Sequence, residues 1–166
     1  MQKTLSDSVK HTMQPVDLTL IDKIMYIHPS CYISYSIQYP NAGLGLFARK
    51  NIPQGTFLGN YVGTICDADH KGPYAFHVRV PNGTESKEWS VDGQNIHESN
   101  FTRFMNCALS EEHENVIVIT CANEGALKGK LMFYAKRDIY QDEELAFDYG
   151  IEYKNVLIGL NRSPTK

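Results

Sequence analysis

A chain of 166 residues, 42% of them hydrophobic, can hold one domain with a sizeable core and leave room for a tail. A formal net charge of -3 and a pI near 6.0 exclude a duplex-DNA binder, since no basic stripe is available to neutralise phosphates. A mildly acidic surface suits a basic peptide instead.

Residues 1–28 are polar and weakly patterned, with Pro15 interrupting any helix, and read as a partly disordered N-terminal arm. The domain proper is expected over residues 29–150, followed by a tail or short helix over 151–166. Strand-like pieces are expected at 32–37, 44–48, 57–62, 74–80, 116–120, 131–135 and 145–147. Turn-forming residues separate several of them, at Pro40-Asn41, Pro53-Gln54-Gly55, Gly72-Pro73, Pro81-Asn82-Gly83 and Gln141-Asp142. Many short strands with such punctuation indicate a mostly β fold. The segment 99–105 is the best short-helix candidate, and 151–160 is a second.

The four cysteines, Cys31, Cys66, Cys107 and Cys121, form no Cys-x-x-Cys pair, which argues against a zinc cluster and against a disulfide scaffold. No histidine pair has metalloprotease spacing, and no metal site is expected. No apolar stretch approaches the ~20 residues of a membrane span, and the N-terminus lacks a signal-peptide core. A soluble, intracellular, reduced protein is expected.

Gly43-Leu44-Gly45-Leu46-Phe47-Ala48 fits the letter of the dinucleotide fingerprint, but Pro53 follows too soon for the long helix that fingerprint needs. Two readings remain, a hairpin glycine pair or a place where backbone approaches a ligand. Asp148-Tyr149-Gly150 lacks the other kinase elements. Its tyrosine, just past an apolar strand, is either a core aromatic with a surface hydroxyl or a site phenol. Asn106-Cys107, closing an apolar segment, is either a capping asparagine beside an inert thiol or part of a site.

Taken in order, AGLGLFARKNIPQGTFLGNYVG, SVDGQNIHESNFTRFMNCA and FYAKRDIYQDEELAFDYG resemble a SET-domain protein lysine methyltransferase. Asn-Cys in place of the commoner Asn-His, with the acidic run from Glu111 to Glu114, resembles the PR-type subgroup. The resemblance implies a β-clip fold of several small sheets, with a pseudoknot-like threading of the C-terminal stretch against the segment holding Asn106. It implies S-adenosylmethionine as cofactor, a lysine-bearing peptide such as a histone tail as partner, and a nuclear or chromatin location. By position, Ala42, Gly43 and Leu44 would approach the cofactor through their backbone, Asn106 and Cys107 would hold its adenine and ammonium end, and Tyr74 would pack nearby. Tyr61, Tyr134 and Tyr149 would line the lysine channel, with Tyr149 nearest the transferred methyl group. Phe147, two residues before, would influence how many methyl groups are added. Asp142 stands where the family's turn usually has glycine, and no cysteine cluster follows Gly150, so 151–160 would have to close the channel. The alternative is a catalytically silent PR-type domain that binds protein partners.

Overall fold

The computed structural model describes residues 21, 25–36, 43–122, 128–150 and 153. Ala42, Ile37, the turn at Pro40-Asn41, most of the expected arm and all but Tyr153 of the expected C-terminal helix lie outside them.

Four small sheets make up the described chain. Strands β1 (Cys31–Tyr35) and β2 (Leu44–Ala48) form an antiparallel pair. Strand β3 (Phe57–Asn60) joins β9 (Leu131–Ala135) and β8 (Val116–Thr120) in the order β3-β9-β8. Strand β4 (Thr64–Cys66) joins β6 (Glu85–Asp92) and β5 (Ala75–Asn82) in the order β4-β6-β5. Last, β7 (Asn106–Cys107) and β10 (Ala146–Phe147) run parallel, with Asn106 opposite Ala146 and Cys107 opposite Phe147. That pairing brings the two motif segments of the sequence into direct contact.

Strands β2, β8 and β9 begin and end where their apolar runs do. Strands β4 and β6 escape pattern reading. The sequence of β6, Glu-Ser-Lys-Glu-Trp-Ser-Val-Asp, is too charged to look like a strand, and it forms because the turn at Gly83 (φ 66°) folds it back on β5. Its exposed half is held by cross-strand partners such as Arg79 Nε and Glu88 Oε1, 3.1 Å apart. The expected helix at 99–105 is a 3-10 turn, Phe101–Phe104, capped by the Asn100 side chain accepting from the Thr102 N–H. Asp142 takes the place of a turn glycine by adopting a left-handed backbone itself (φ 64°), while its carboxylate accepts from the Tyr32 hydroxyl at 3.0 Å.

The main core gathers Leu46, Ile52, Leu58, Phe101, Phe104, Met105, Phe133, Ile139, Leu145 and Phe147, and Ile21 and Met25 pack into it. Burying side chains of this size contributes roughly 1.5–3 kcal/mol each. Tyr61 and Tyr149 sit at its margin, so the core itself holds their rings in place.

Candidate functional site

Two strands of β2 and β7 neighbourhoods build the polar half of the site. Asn106 is half-buried, and its Nδ2 donates to the Leu44 carbonyl at 3.3 Å and to Glu144 Oε1 at 2.7 Å. Gly43 has a left-handed backbone (φ 75°), and its carbonyl accepts from the Ser36 N–H at 2.9 Å. The expected cofactor residues Gly43, Leu44 and Asn106 are therefore joined in one hydrogen-bonded patch. Cys107 is buried one step along β7, near the Tyr149 phenol, whose pKa is pushed up chiefly by burial.

The aromatic half follows from the core. Tyr61, Phe133, Phe147, Tyr149 and Tyr153 form a continuous run of ring contacts, with centroid separations of 6.2, 5.0, 4.5 and 4.8 Å in turn. Phe76 closes a loop by touching both Tyr61 (5.8 Å) and Phe147 (5.9 Å). Tyr61, Phe76, Phe147, Tyr149 and Tyr153 face a cavity of about 360 Å³ that Tyr74 and Arg103 also line, while Phe133 packs behind them. Arg103 lies over the Tyr74 ring at 4.4 Å, and its Nε is buried without a hydrogen-bond partner.

Two of the phenols on the cavity, Tyr61 and Tyr149, have assigned protons. The Tyr149 hydroxyl donates to the Met105 carbonyl and the Tyr61 hydroxyl to the Tyr74 carbonyl, each at 2.6 Å. Toward the cavity they can therefore only accept hydrogen bonds. Burial pushes Tyr61 up to about 12 and Tyr149 well above the usual tyrosine value, so both remain neutral phenols at neutral pH.

Tyr134 does not join them, and the expectation for it is corrected. Side chains alternate along β9, so Phe133 points into the core and Tyr134 points away. Its ring meets Phe57 at 5.4 Å on the outer face, its hydroxyl lies 3.9 Å from Met132 Sδ, and its neighbours there include Ile117, Ile119 and Gln54. Phe133, fully buried, is the ring of β9 that packs against Tyr61 and Phe147 behind the cavity.

Arg103, which lines the cavity, and Glu144, which accepts from Asn106, are residues of the candidate site that pattern reading missed. A signal existed for one of them. In Glu143-Glu144-Leu145-Ala146-Phe147 the acid nearer the apolar strand was the one to suspect of burial. Tyr153, within the segment expected to close the channel, packs against Tyr149 with its ring tilted by 49°. Among the described residues no group of three or more His, Cys, Asp or Glu side chains is placed to hold a metal.

The family model of the PR domain of PR domain zinc finger protein 2 matches residues 33–159. The chain belongs to the PR-domain family. Among relatives of this PR domain is the histone-lysine N-methyltransferase set-17 of Caenorhabditis elegans, 29% identical over 122 residues, which are 72% of this chain and 40% of set-17. The chain thus spans less than half of that relative's length. The methyltransferase domain of human PR domain-containing protein 2 superposes with a TM-score of 0.64 at 21% identity, covering 86% of this chain and 96% of that one. KRYPTONITE, solved in complex with mCHH DNA, an H3(1-15) peptide and SAH, superposes with a TM-score of 0.56 at 19% identity, covering 76% of this chain and 24% of that one. These likenesses establish the fold, and the mostly β reading with several small sheets stands.

Proposed function

We propose that this PR domain is an S-adenosylmethionine-dependent protein-lysine N-methyltransferase acting on a histone tail. The observation that carries the reading is the pair of phenols, Tyr61 and Tyr149, on one aromatic cavity, each with its proton committed to a backbone carbonyl. The name of set-17 and the SAH and H3 peptide held by KRYPTONITE support it by kinship.

The residues present fit the cofactor. Asn106 offers an open side-chain carbonyl, Arg103 an unpartnered buried donor, and the aromatic walls an environment that tolerates a sulfonium. Gly43, Leu44, Asn106, Cys107 and Tyr74 would hold it. When bound, S-adenosylmethionine supplies an activated methyl group.

The chain's own residues would prepare the amine. Lysine has a reference pKa near 10.4, so only roughly 0.1% is neutral at physiological pH, a cost of about 4 kcal/mol. Rings of Tyr61, Phe76, Phe147 and Tyr149 exclude water, which disfavours the ammonium form. The phenol oxygens accept N–H groups and so turn the amine lone pair away from themselves, toward the incoming carbon. With both phenols held neutral, neither acts as a phenolate base.

One observation favours the second reading, a catalytically silent module that binds protein partners. Tyr134, expected as the third channel phenol, lies on the outer face of the sheet and is not part of the cavity. Isothermal titration with S-adenosylmethionine, followed by mass spectrometry of a histone peptide mixture, separates the two. Cofactor binding with a mass gain on a lysine is the expected outcome. Absence of transfer from a folded, cofactor-loaded protein would leave the interaction module.

A further inference from the structure

Glu144 is 3% exposed, yet its carboxylate meets neutral donors rather than a cation. Ser36 Oγ donates to Oε2 at 2.9 Å, and Asn106 Nδ2 donates to Oε1 at 2.7 Å. Room for the carboxylate exists only because residue 45 is glycine. A Cβ there would lie 2.9 Å from Glu144 Cδ and 3.2 Å from Asn106 Nδ2. Stability is a poor explanation for such an acid, since well-packed apolar groups usually serve a buried position as well or better.

The consequence falls on Asn106. Its second Nδ2 proton goes to the Leu44 carbonyl at 3.3 Å, so both neighbours of the amide nitrogen are acceptors. Only one of the two amide orientations satisfies them. In that orientation Oδ1 is the side-chain atom left for a ligand.

We propose that Glu144, braced by Ser36, is a positioning residue that pins the Asn106 amide with its carbonyl toward the cofactor. Position 106 then accepts a hydrogen bond and takes a donor of the ligand, an ammonium or an exocyclic amine. The inference rests on the methyltransferase reading, and its test separates the two. Glu144→Leu removes both acceptors, and Glu144→Gln keeps one for Asn106. Asn106→Asp sets two carboxylates face to face, and the pair E144Q/N106D restores a donor–acceptor contact with an oxygen still presented.

In titrations with S-adenosylhomocysteine, E144L and N106D are expected to bind about tenfold to hundredfold more weakly than the parent, as for an unpaired buried polar group. E144Q should stay within about threefold, and E144Q/N106D should recover at least about tenfold over N106D alone. Melting curves and NMR of each variant establish that it is folded, and a merely structural role predicts no such rescue. Equal affinity of N106D and E144Q/N106D, or parent-like binding by folded E144L, overturns the proposal. Hydrogen exchange of the Asn106 side-chain amide, read by NMR without ligand, covers the remaining case. Protection in the parent that E144L abolishes, with no S-adenosylhomocysteine binding at all, removes the methyltransferase reading but leaves the pinning. An unprotected amide in the parent refutes the pinning itself.

Discussion

Two adjacent residues of β9 sit in opposite environments. Phe133 is fully buried and touches Tyr61 and Phe147, while Tyr134 lies on the outer face against Phe57. That outer face also carries Ile117 and Ile119, 42% and 46% exposed, so it is apolar without being core. The difference shows that an aromatic dipeptide in a strand has one inward member, and the pleat rather than the residue type decides which. The phenol went outward and the plain ring inward.

The largest expected effect of that division is on stability. Phe133→Ala should cost about 3–5 kcal/mol, the usual penalty for emptying an aromatic site in a core. Tyr134→Ala should cost about 1 kcal/mol, mainly its contact with Phe57. Urea unfolding of both variants measures the gap, and equal losses would mean that the inward residue has been misjudged.

Alkaline pH probes the inward phenols next. Burial raises Tyr61 from 10.0 to about 12, with the nearby Arg103 charge opposing the shift. The folded state thus holds this proton more tightly than the unfolded chain does. Its contribution to stability is present in full below the unfolded value and is lost as pH rises through the folded one, by roughly 3 kcal/mol in total. Lysines titrate in the same window, so the measurement is a difference. Tyr61→Phe should lack that part of the fall in unfolding free energy between about pH 9 and about pH 12. A parent and variant with parallel alkaline profiles would contradict the buried, neutral phenol.

The same contrast can be read in turnover. Tyr149→Phe keeps the ring and leaves the Met105 carbonyl without its donor, so stability should fall by about 1 kcal/mol. Methyl transfer should fall by about a hundredfold, the scale of losing one preorganised polar group at a reacting centre. Tyr134→Phe should leave kcat within about twofold of the parent, because its hydroxyl lies on the other face of the sheet. Single-turnover assays at saturating cofactor and peptide distinguish them.

Much of the fold was legible because local signals agreed with it. Strands β2, β8 and β9 match the expected 44–48, 116–120 and 131–135, where apolar runs are bounded by charge or turn residues. Strand β6 was not legible, since its pairing with β5 compensates for a sequence with little strand character. In the site, glycine, asparagine and tyrosine could be singled out by type, but contact between them could not. The doublet Glu143-Glu144 illustrates the limit. Burial alone would raise the Glu143 carboxyl, yet hydrogen bonds from Arg137, Asn115 and the Tyr140 amide hold it below the usual value at a half-open rim. Its neighbour is buried against Gly45 and Asn106. Two identical side chains divide between surface and site because Glu144 bridges to Phe47 in antiparallel fashion, beside Gly45 and Leu46, information that exists only once this segment has met β2.

The smallest expected effect, and the sharpest use of the comparison, is on product ratio. Phe147 is 4% exposed and packs between Phe133 and Tyr149, at 5.0 and 4.5 Å. A methylated amine held between the phenols must rotate before it can accept another methyl group, and Phe147 adds no further hydroxyl to that volume. Phe147→Tyr would add a group able to hold a water or the amine, worth about 0.5–1.5 kcal/mol net. That is roughly a factor of two to ten in the rate of a later step, so the variant should accumulate monomethyl lysine while the parent proceeds further. Tyr134→Phe provides the control that the sequence alone would have misassigned. Had its hydroxyl projected into the channel, its removal would shift the ratio the opposite way; on the outer face it should shift nothing. Time-resolved mass spectrometry of one peptide under excess cofactor tests both at once. A parent that stops at monomethyl lysine, or a Tyr134→Phe variant with altered product ratio, would show that the division between the two faces of β9 does not govern the channel.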